Sequence, residues 1–399
     1  MILHVACLPF PSHQGTQAAL DAMLQASVGA GQPTHLLAYA SGAYRIDAPY
    51  EVHRIPDFPK VRSLRSGPSW GKIALDARCV FETRRLVRRL RPAAIVAHHV
   101  EAAVAVLAAG VTPAFYVAHT CLRHELPAYF PSLPAHLVGE AANRVERTVC
   151  ARVAGVAAVA PSLCRLLGGH ARYLPVPWAI STPPDRCTRE AARCALGLSR
   201  SAQICLYAGN LDPYQGWEHL IEALLPLRRT HPKARLLIAT ESDPSPARSL
   251  ATRLGVAGSV DFCRLDGERA RKLAHASADL AWVPRRTEGG LPIKMLDSFA
   301  RAVPVVAMRR ATAGLPMRDA CIAVRNDDAE ALAAGVRQLL DDGKAAAALQ
   351  EAACRYLALH HRDEAFVNAL RDLVGDTGPT TPATRYERHP AVERVPRAL

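Results

Sequence analysis

Residues 280–297 read LAWVPRRTEGGLPIKMLD, and this stretch decides the fold class. Its apolar start, Leu280–Val283, is typical of a strand buried in a parallel sheet. Two adjacent glycines then let the backbone approach a ligand, and Pro292 suits the first turn of a helix. The free amides and the positive dipole end of that helix favour an anion. Because Glu288 and Asp297 flank the turn and can bond sugar and ribose hydroxyls, the stretch predicts a sugar nucleotide site.

Strand and helix patterns alternate along the whole chain. Apolar runs with strand character occupy residues 2–8, 35–40, 95–98, 114–118 and 156–160, and then 204–208, 235–240, 260–262, 280–283, 305–308 and 322–324. A proline-rich break at residues 175–184 separates the two groups. Such alternation favours parallel sheets, so we predict an α/β protein with two doubly wound domains.

Composition excludes several protein classes. The chain has 399 residues, 50% hydrophobic and 21% charged, which suits two or three folded domains. Eleven cysteines without a C-x-x-C pair or metal-ligand spacing favour a reduced, cytoplasmic protein. The N-terminus lacks the basic segment of a signal peptide, and the apolar region 93–118 is interrupted by polar residues. We therefore expect no secretion signal and no membrane span.

A formal net charge of +13 calls for acidic partners. Nucleic acid is not predicted, since the basic residues are dispersed and lack interleaved aromatic residues. A sugar nucleotide and an anionic membrane surface are better candidates. A generally basic composition without functional meaning is the simpler alternative.

The stretch 280–297 resembles the donor-site signature of family-4 retaining glycosyltransferases of the GT-B fold. That signature is Glu-Gly-x-Gly-Leu-Pro or Glu-Gly-Leu-Pro followed by a second Glu, and residues 298–307, SFARAVPVVA, match the family's continuation. Three features differ, because Asp297 replaces the second Glu, the spacing is one residue longer, and Ala302 replaces a common Gly. The resemblance implies two Rossmann-like domains with parallel sheets facing across a cleft.

The resemblance covers about residues 1–370 and predicts the domain organisation. We expect an acceptor-side domain at 1–184, a donor-side domain at 185–350 and helices at 351–374 that cross back to the first domain. The crossing is implied by the resemblance alone. Residues 375–399 cannot bury a core and are predicted to be a disordered tail.

The donor site is assigned mostly to the second domain. The resemblance implies that Glu288, as a catalytic residue, or the adjacent amide holds the donor sugar, and that Asp297 binds the donor ribose. Gly290, Leu291 and Lys294 would stabilise the departing diphosphate. The expected donor-binding residues of this stretch are Glu288, Gly289, Gly290, Leu291, Lys294 and Asp297.

A second donor loop, residues 206–218, reads LYAGNLDPYQGWE. It resembles the family's Gly-Arg-Leu loop and Lys-Gly helix start, in which Arg and Lys neutralise the donor diphosphate. Asn210 and Gln215 occupy those positions and are expected to bind the donor, but neither is charged. A leaving pyrophosphate needs positive charge or hydrogen-bond donors, so compensation must come from elsewhere.

Positive charge is available at the end of the strand at 280–283. Lys294 is the nearest candidate, and Arg285 or Arg286 could also reach the phosphates, with a solvated surface position as the alternative for both arginines. We find no Asp-x-Asp segment at a donor strand end. We therefore expect metal-independent chemistry and no cofactor beyond the donor substrate.

The first strand ends in PFPSHQGTQ, residues 9–17. In parallel sheets, ligands meet the loops at the carboxyl ends of strands, and Gly15 permits close approach of the backbone. This loop resembles the family's first-domain glycine loop. We expect Gly15 near the donor and His13 and Gln14 on the acceptor side, with an ordinary turn as the alternative.

His119 follows the strand at 114–118, so it faces the cleft, where imidazole can bond a sugar hydroxyl or transfer a proton. It matches the family's first-domain histidine, which implies contact with the transferred sugar and a catalytic role. His124 and Glu125, just beyond, are expected on the acceptor side.

His98 and His99 resemble the family's His-x-His segment. Adjacent residues of a strand point to opposite faces, so both are unlikely to bind one ligand. We predict structural roles for His98 and His99.

These observations predict a retaining glycosyltransferase that moves a sugar from a nucleotide diphosphate sugar to an acceptor hydroxyl. The acceptor would be a sugar, a lipid-linked molecule or a small molecule in polysaccharide, cell-envelope or glycoconjugate synthesis. The expected location is the cytoplasm, with peripheral contact at the inner membrane face. Two alternatives stay open: a catalytically weak relative that binds nucleotide sugars, and a GT-B epimerase or phosphorylase.

Overall fold

A computed structural model describes residues 1–12, 14–42, 48–56, 67, 70–169, 171–180, 186–317 and 319–375. Within these ranges the chain forms two parallel sheets, each covered by helices.

The first sheet is formed by the amino-terminal half of the chain. Its described strands are β1 (Ile2–Pro9), β2 (Thr34–Tyr39), β3 (Glu51–Arg54), β4 (Ala94–His98), β5 (Ala114–Ala118), β6 (Gly155–Ala158) and β7 (Arg172–Tyr173). They are hydrogen-bonded in the order β3-β2-β1-β4-β5-β6-β7. Strand β1 pairs in parallel with both β2 and β4. The order reverses beside β1, which is the topological switch point where ligands bind in such sheets.

The second sheet repeats this arrangement. Its described strands are β8 (Gln203–Ala208), β9 (Ala234–Thr240), β10 (Val260–Arg264), β11 (Leu280–Val283), β12 (Val305–Met308) and β13 (Ile322–Val324). They are ordered β10-β9-β8-β11-β12-β13, and every pair is parallel. The switch point therefore lies between β8 and β11, the two strands that precede the predicted donor loops.

Helices connect the strands and cover both sheets. Those of the first half are α1 (Gly15–Gly29), α2 (Trp70–Leu90), α3 (His99–Ala108), α4 (Leu122–Glu125), α5 (Ala135–Cys150) and α6 (Pro161–Leu166). Those of the second half are α7 (Arg186–Ala195), α8 (Glu218–Thr230), α9 (Ser245–Arg253), α10 (Glu268–Ser277), α11 (Ile293–Ala300), α12 (Arg309–Thr312), α13 (Ala329–Asp341), α14 (Gly343–His360) and α15 (Asp363–Gly375). Short 3-10 turns occupy Leu126–Tyr129, Pro213–Gln215 and Ala257–Ser259.

The structure contains all the predicted strands, with ends that shift by one or two residues. It also contains β3 and β7, which were not predicted. Both lie at the edges of the first sheet and are only partly buried, so neither carries a continuous apolar run. The predicted fold class, two doubly wound Rossmann-like domains with parallel sheets, is confirmed.

The last described helix returns to the first domain. α15 packs against α1, β6 and β7, and its side chains Phe366, Val367 and Leu370 are buried. In addition, Arg172 donates a hydrogen bond of 2.6 Å to the carbonyl of Asp372. The chain therefore connects the two domains a second time. The domain boundaries stay predictions, and residues 376–399 of the predicted tail lie outside the described residues.

Apolar side chains form a core that continues across the cleft. Leu163 at the start of α6 belongs to the same buried cluster as Leu291 and Met295 around the start of α11. Among the described helices, none is both long and apolar enough to span a membrane.

Candidate active site

A cavity of about 720 Å³ lies between the two domains. The first domain contributes the end of β1 and residues 14–17 at the start of α1. The second domain contributes residues 208–212 after β8, the residues that follow β11 and the start of α11. The cavity thus lies at the carboxyl ends of strands from both sheets, next to both switch points, where ligands of such folds bind.

The glycine turn before α11 is in close contact with the first domain. Gly290 has a φ angle of +82°, and a Cβ there would lie 2.6 Å from the carbonyl oxygen of His119. Gly289 has a φ of +91°, and its Cβ would lie 3.3 Å from Cβ of Cys121. Only glycine allows both this backbone conformation and this approach. The two glycines therefore permit the turn to close onto the loop that carries His119.

Two further contacts join the domains beside this turn. A Cβ on Gly15 would lie 3.3 Å from Cβ of Ile293, the first residue of α11. Nδ1 of His124 lies 3.3 Å from the carbonyl oxygen of Glu288. The sequence-predicted residues of the two domains therefore meet around one cleft.

Lys294 is half-buried in the first turn of α11. Its Nζ donates hydrogen bonds of 2.6 Å to Oε1 of Gln215 and 3.1 Å to the hydroxyl of Tyr207. The ammonium also lies 4.4 Å from the centre of the Tyr207 ring, which adds a cation–π contact. The side chain is thus held at the cavity wall, where an anion can add a further bond.

A row of hydrogen bonds continues from Lys294 to a carboxylate. Nε2 of Gln215 donates to Oδ1 of Asn210 at 2.9 Å, and Nδ2 of Asn210 donates to Oδ2 of Asp212 at 2.7 Å. Burial, with a smaller contribution from the charge of Arg285, lowers the pKa of Lys294 to about 7. The two uncharged residues that replace the family's cations therefore orient the remaining lysine.

Arg285, which follows β11, supplies the second cation of the cavity wall. It is only 7% exposed, and its Nη2 donates a hydrogen bond of 2.8 Å to the carbonyl of Gly289. Its Nε is buried and has no protein partner among the described residues. Burial lowers the pKa of Arg285. The neighbouring Arg286 is exposed and pairs with Glu218 at 3.3 Å, so the structure decides between the two arginines that the sequence left open.

Asp297 lies one turn further along α11, buried at the cavity wall. Its carboxylate accepts a hydrogen bond of 3.1 Å from Nε of Arg301. Nη1 of Arg271 and Nε2 of His275 lie 3.6 and 3.7 Å from the same carboxylate. The carboxylate is thus compensated by protein cations, and its expected bond to a ribose stays a prediction.

The structure brings most of the sequence-predicted residues to the cavity. The cavity is lined by Gln14, Gly15, His119, Glu125, Asn210, Gln215, Leu291, Lys294 and Asp297. Glu288 is exposed, and neither it nor Gly289, Gly290 and His124 lines the cavity. These four residues lie at the contact between the domains, with the two glycines buried. His13 lies outside the described residues.

His119 is buried at the end of β5 and lines the cavity. Nε2 of His119 lies 3.0 Å from Nδ1 of His98. The ring of His99 stacks on His119 with 4.7 Å between centroids, and His99 also lines the cavity. His99 therefore lies at the cavity beside His119, and its structural role stays a prediction. Strand alternation does not apply to His99, because it begins α3 with a φ of +67°.

Sequence reasoning did not find the carboxyl group of Glu146. This residue of α5 lines the cavity, and its Oε1 accepts a hydrogen bond of 3.0 Å from the hydroxyl of Tyr116. Burial raises the pKa of Glu146 to about 7. A charged residue on the buried face of an amphipathic helix was the only sequence signal available. Asp212 and Tyr214 were also missed as cavity residues.

One group of described residues has the spacing of a metal site. His35, Glu51 and His53 lie on β2 and β3, with donor atoms within 4.8 Å of one another. Nδ1 of His35 lies 2.9 Å from Nε2 of His53, so the two rings already share a hydrogen bond. None of the three lines the cavity.

Comparison with known proteins finds similarity mainly in the second half of the chain. Residues 202–342 match the family model of glycosyl transferases group 1. A D-inositol 3-phosphate glycosyltransferase of Segniliparus rotundus is 31% identical over 134 residues, 32% of this chain and 29% of that protein. A GDP-mannose-dependent alpha-(1-6)-phosphatidylinositol monomannoside mannosyltransferase of Mycolicibacterium smegmatis is 36% identical over 177 residues, 42% of this chain and 45% of that protein. The chain thus spans less than half the length of these two relatives.

Solved structures resemble almost the whole chain. Sucrose-phosphate synthase from Thermosynechococcus elongatus has a TM-score of 0.77 at 16% identity, covering 94% of this chain and 98% of that one. HepE of Anabaena in complex with UDP and glucose has a TM-score of 0.72 at 15% identity, covering 94% and 99%. The lipopolysaccharide glycosyltransferase WaaG has a TM-score of 0.68 at 17% identity, covering 94% and 100%. At these identities the likeness shows the fold alone, which is GT-B.

Proposed function

We propose that this chain, whose residues 202–342 match the model of glycosyl transferases group 1, moves a sugar from a nucleotide diphosphate sugar to an acceptor hydroxyl. The observation that carries the proposal is a pair of cations, the half-buried Lys294 and the buried Arg285, beside the start of α11 in the interdomain cavity. Two cations and the amides of a helix start together form a site for a diphosphate.

The diphosphate would be bound as it leaves. In the proposed step the bond between the anomeric carbon and the diphosphate oxygen breaks, and its electron pair stays on the diphosphate. The acceptor oxygen bonds to the anomeric carbon, and its proton passes to the departing phosphate oxygen. Lys294 and Arg285 stabilise the charge that develops there, in a cavity where burial strengthens each interaction.

The donor sugar would lie in the cavity, between His119 and Leu291. His119 comes from the first domain and Leu291 from the second, and both line the same cavity. Closure of the domains around the donor would therefore align the sugar and exclude water. Attack and departure on one face of the sugar would retain the anomeric configuration, which we infer from the resemblance to family-4 enzymes.

Asp297 supports a role at the nucleoside. It lies one turn beyond Lys294 on α11 and lines the cavity, so a diphosphate at Lys294 would place the ribose near this carboxylate. Arg301 and Arg271 lie beside the carboxylate, whose oxygens can accept hydrogen bonds from hydroxyl groups. Glu288 would act only after a movement that turns its exposed side chain towards the sugar.

The chemistry of the relatives suggests donors for testing. One relative is GDP-mannose-dependent and one solved structure holds UDP with glucose, so guanosine and uridine diphosphate sugars are the first candidates. The named activities of the relatives concern inositol phosphates and phosphatidylinositol mannosides. We therefore propose a polyol, sugar or lipid-linked acceptor in cell-envelope, polysaccharide or glycoconjugate synthesis.

An exposed surface of the first domain supports contact with an anionic membrane. Helix α2 exposes Ile73 (59%) and Phe81 (67%), and Phe81 lies in a surface recess with four arginines, at 84, 85, 88 and 89. Apolar side chains next to arginines favour the interface of a membrane rich in acidic lipids. We propose a cytoplasmic enzyme that binds such a membrane at its periphery.

The test is a panel of nucleotide diphosphate sugars. A donor that binds only the folded chain should raise its melting temperature, and that donor should then be hydrolysed slowly and transferred when acceptors are supplied. Binding without hydrolysis or transfer would favour the catalytically weak relative, which the uncharged Asn210 and Gln215 also suggest. Conversion of the donor without any acceptor would favour an epimerase. The absence of any binding would overturn the proposal.

A further inference from the structure

Three histidines from adjacent strands form a row that leads from the core of the first domain to the cavity. Nδ1 of His4 on β1 lies 2.9 Å from Nε2 of His98 at the end of β4. Nδ1 of His98 lies 3.0 Å from Nε2 of His119, which follows β5. All three side chains are buried, and His119 alone lines the cavity.

The three rings are neutral. Burial lowers the pKa of His4 to about 3, and burial also holds the pKa values of His98 and His119 well below their usual range. Each neutral imidazole carries one N–H and one bare nitrogen. The three rings therefore carry three N–H protons, and the row contains two hydrogen bonds. Nε2 of His4 and Nδ1 of His119 are the two ring nitrogens that take no part in these bonds.

Only two proton arrangements satisfy both bonds. In the first, His4 donates from Nδ1 to His98, and His98 donates from Nδ1 to His119, so His119 carries its own proton on Nδ1. In the second, both bonds are reversed, so His119 is protonated on Nε2 and His4 also carries its proton on Nε2. The proton position at the buried end therefore dictates the tautomer at the cavity.

The surroundings of His4 distinguish these arrangements. Nε2 of His4 is buried and has no hydrogen-bond partner among the described residues. The second arrangement would leave an N–H group without an acceptor there, and orphaned buried N–H groups are rare in proteins because they lose a full hydrogen bond to water. The first arrangement leaves only a bare ring nitrogen in the core, so it is favoured.

We propose that His4 and His98 are positioning residues that hold His119 as the Nδ1–H tautomer, so that His119 donates a hydrogen bond to an oxygen of the bound sugar. This inference rests on the proposed function for the identity of the ligand, but not for the tautomer. In the described chain His119 uses Nε2 for its hydrogen bond to His98, which leaves Nδ1 for the ligand. A protonated Nδ1 cannot remove a proton, so His119 binds the sugar and is not a general base.

The experiment is NMR of the full chain with ¹⁵N-labelled histidine, in which protonated and bare ring nitrogens resonate in separate regions. His119→Gln assigns the signals of residue 119 by difference. We expect Nδ1 of His119 to be protonated and Nε2 to be bare. A proton on Nε2 of His119 in the unaltered chain would overturn the proposal, and this measurement needs no other variant to fold.

Two variants of His4 test its positioning role. His4→Asn keeps a donor near the position of Nδ1, whereas His4→Leu removes it. We expect Leu to give a mixture of tautomers at His119 and to raise the donor KM about tenfold, the size of one lost hydrogen bond, with a smaller change in kcat. Asn should preserve the tautomer and stay within about twofold of the original KM. An unchanged tautomer in a folded His4→Leu chain would remove the positioning role.

The NMR and the kinetics separate the two proposals. If the Nδ1–H tautomer is found and no nucleotide sugar binds, the proposed function fails while the histidine row stands. If a donor binds and the tautomer is Nε2–H, the proposed function stands and this inference fails.

Discussion

Nζ of Lys294 lies 2.6 Å from Oε1 of Gln215, although the two residues are 79 positions apart in the sequence. This bond joins the start of α11 to the loop after β8 across the switch point of the second sheet. Position 215 thus offers Lys294 an acceptor, and with Tyr207 it uses two of the three ammonium N–H groups. The third N–H stays available to a ligand with negative charge.

Removal of this acceptor should destabilise the free protein. Gln215→Leu leaves the half-buried ammonium with the Tyr207 hydroxyl as its remaining hydrogen-bond partner among the described residues, and we expect a loss of about 1–3 kcal/mol in the free energy of unfolding. Urea titration measures it. In a Lys294→Met background the same Gln215 change should cost much less, since no charge then needs the acceptor. An equal loss of stability from Gln215→Leu in the wild type and in Lys294→Met would contradict the pairing of Gln215 with Lys294.

The charge of Lys294 should appear in pH profiles. Burial lowers the pKa of Lys294 from 10.5 to about 7. Among the charged groups around it, Arg285 lowers this pKa further and Asp212 raises it. Donor kcat/KM should fall as the pH rises through about 7, because the free enzyme then loses the ammonium. Lys294→Arg, which stays charged, should lose this fall. A wild-type profile that is flat from pH 6 to about 9 would contradict the assignment.

The same shift predicts how stability depends on pH. The folded-state pKa lies below the unfolded one, so the buried charge destabilises the protein most at pH values below about 7. This cost is relieved as the pH rises from about 7 towards 10.5. The stability advantage of Lys294→Met over the wild type should therefore shrink across this window in urea titrations. If the stability advantage of Lys294→Met grew with pH, the pKa of Lys294 would be raised by folding and not lowered.

Arg285 and Arg286 form a matched pair for mutation. Arg285→Met removes a buried cavity cation, and we expect a loss of about 10- to 100-fold in donor kcat/KM, as for a charge-assisted bond. Arg286→Met removes only a partly exposed pair with Glu218 and should change kcat/KM less than about twofold. Steady-state kinetics with the donor found in the panel decides. Equal effects of the two changes would exclude Arg285 as the second phosphate cation.

Gly290 tests the closed contact between the domains. In Gly290→Ala the new Cβ meets the carbonyl oxygen of His119 at 2.6 Å, so the turn must move away from the first domain. Gly255→Ala is the control, since its φ of +71° imposes similar backbone strain while its Cβ meets nothing within 4 Å. Both changes should cost about 1–2 kcal/mol of stability for the left-handed backbone, measured by urea titration.

Only Gly290→Ala should also reduce donor transfer, by at least about tenfold, since small misplacements of reacting groups have large effects. Transfer is measured at a temperature where both variants are folded. Comparable transfer by the two variants would mean that the contact between the turn and His119 does not matter for the reaction.

Several strands and helix ends could be predicted from the sequence because they depend on residues that are neighbours in the chain. The strands of both sheets follow from short apolar runs, and the start of α11 follows from Gly289, Gly290 and Pro292. The short edge strands β3 and β7 were missed, since a strand with few buried residues leaves little pattern in the sequence.

Much of the candidate site could also be predicted from the sequence. Loops after strands converge by topology, so Gly15, His119 and Lys294 could be assigned to one cleft.

The two parallel sheets, the position of the donor turn and the family resemblance follow from the sequence, because each depends on residues close together in the chain. Side-chain packing in the folded chain is what brings Arg285 and not Arg286 into the cavity and places cations beside Asp297. It alone aligned His4, His98 and His119. Such contacts join side chains from separate strands and helices, and their geometry is set by how whole elements pack.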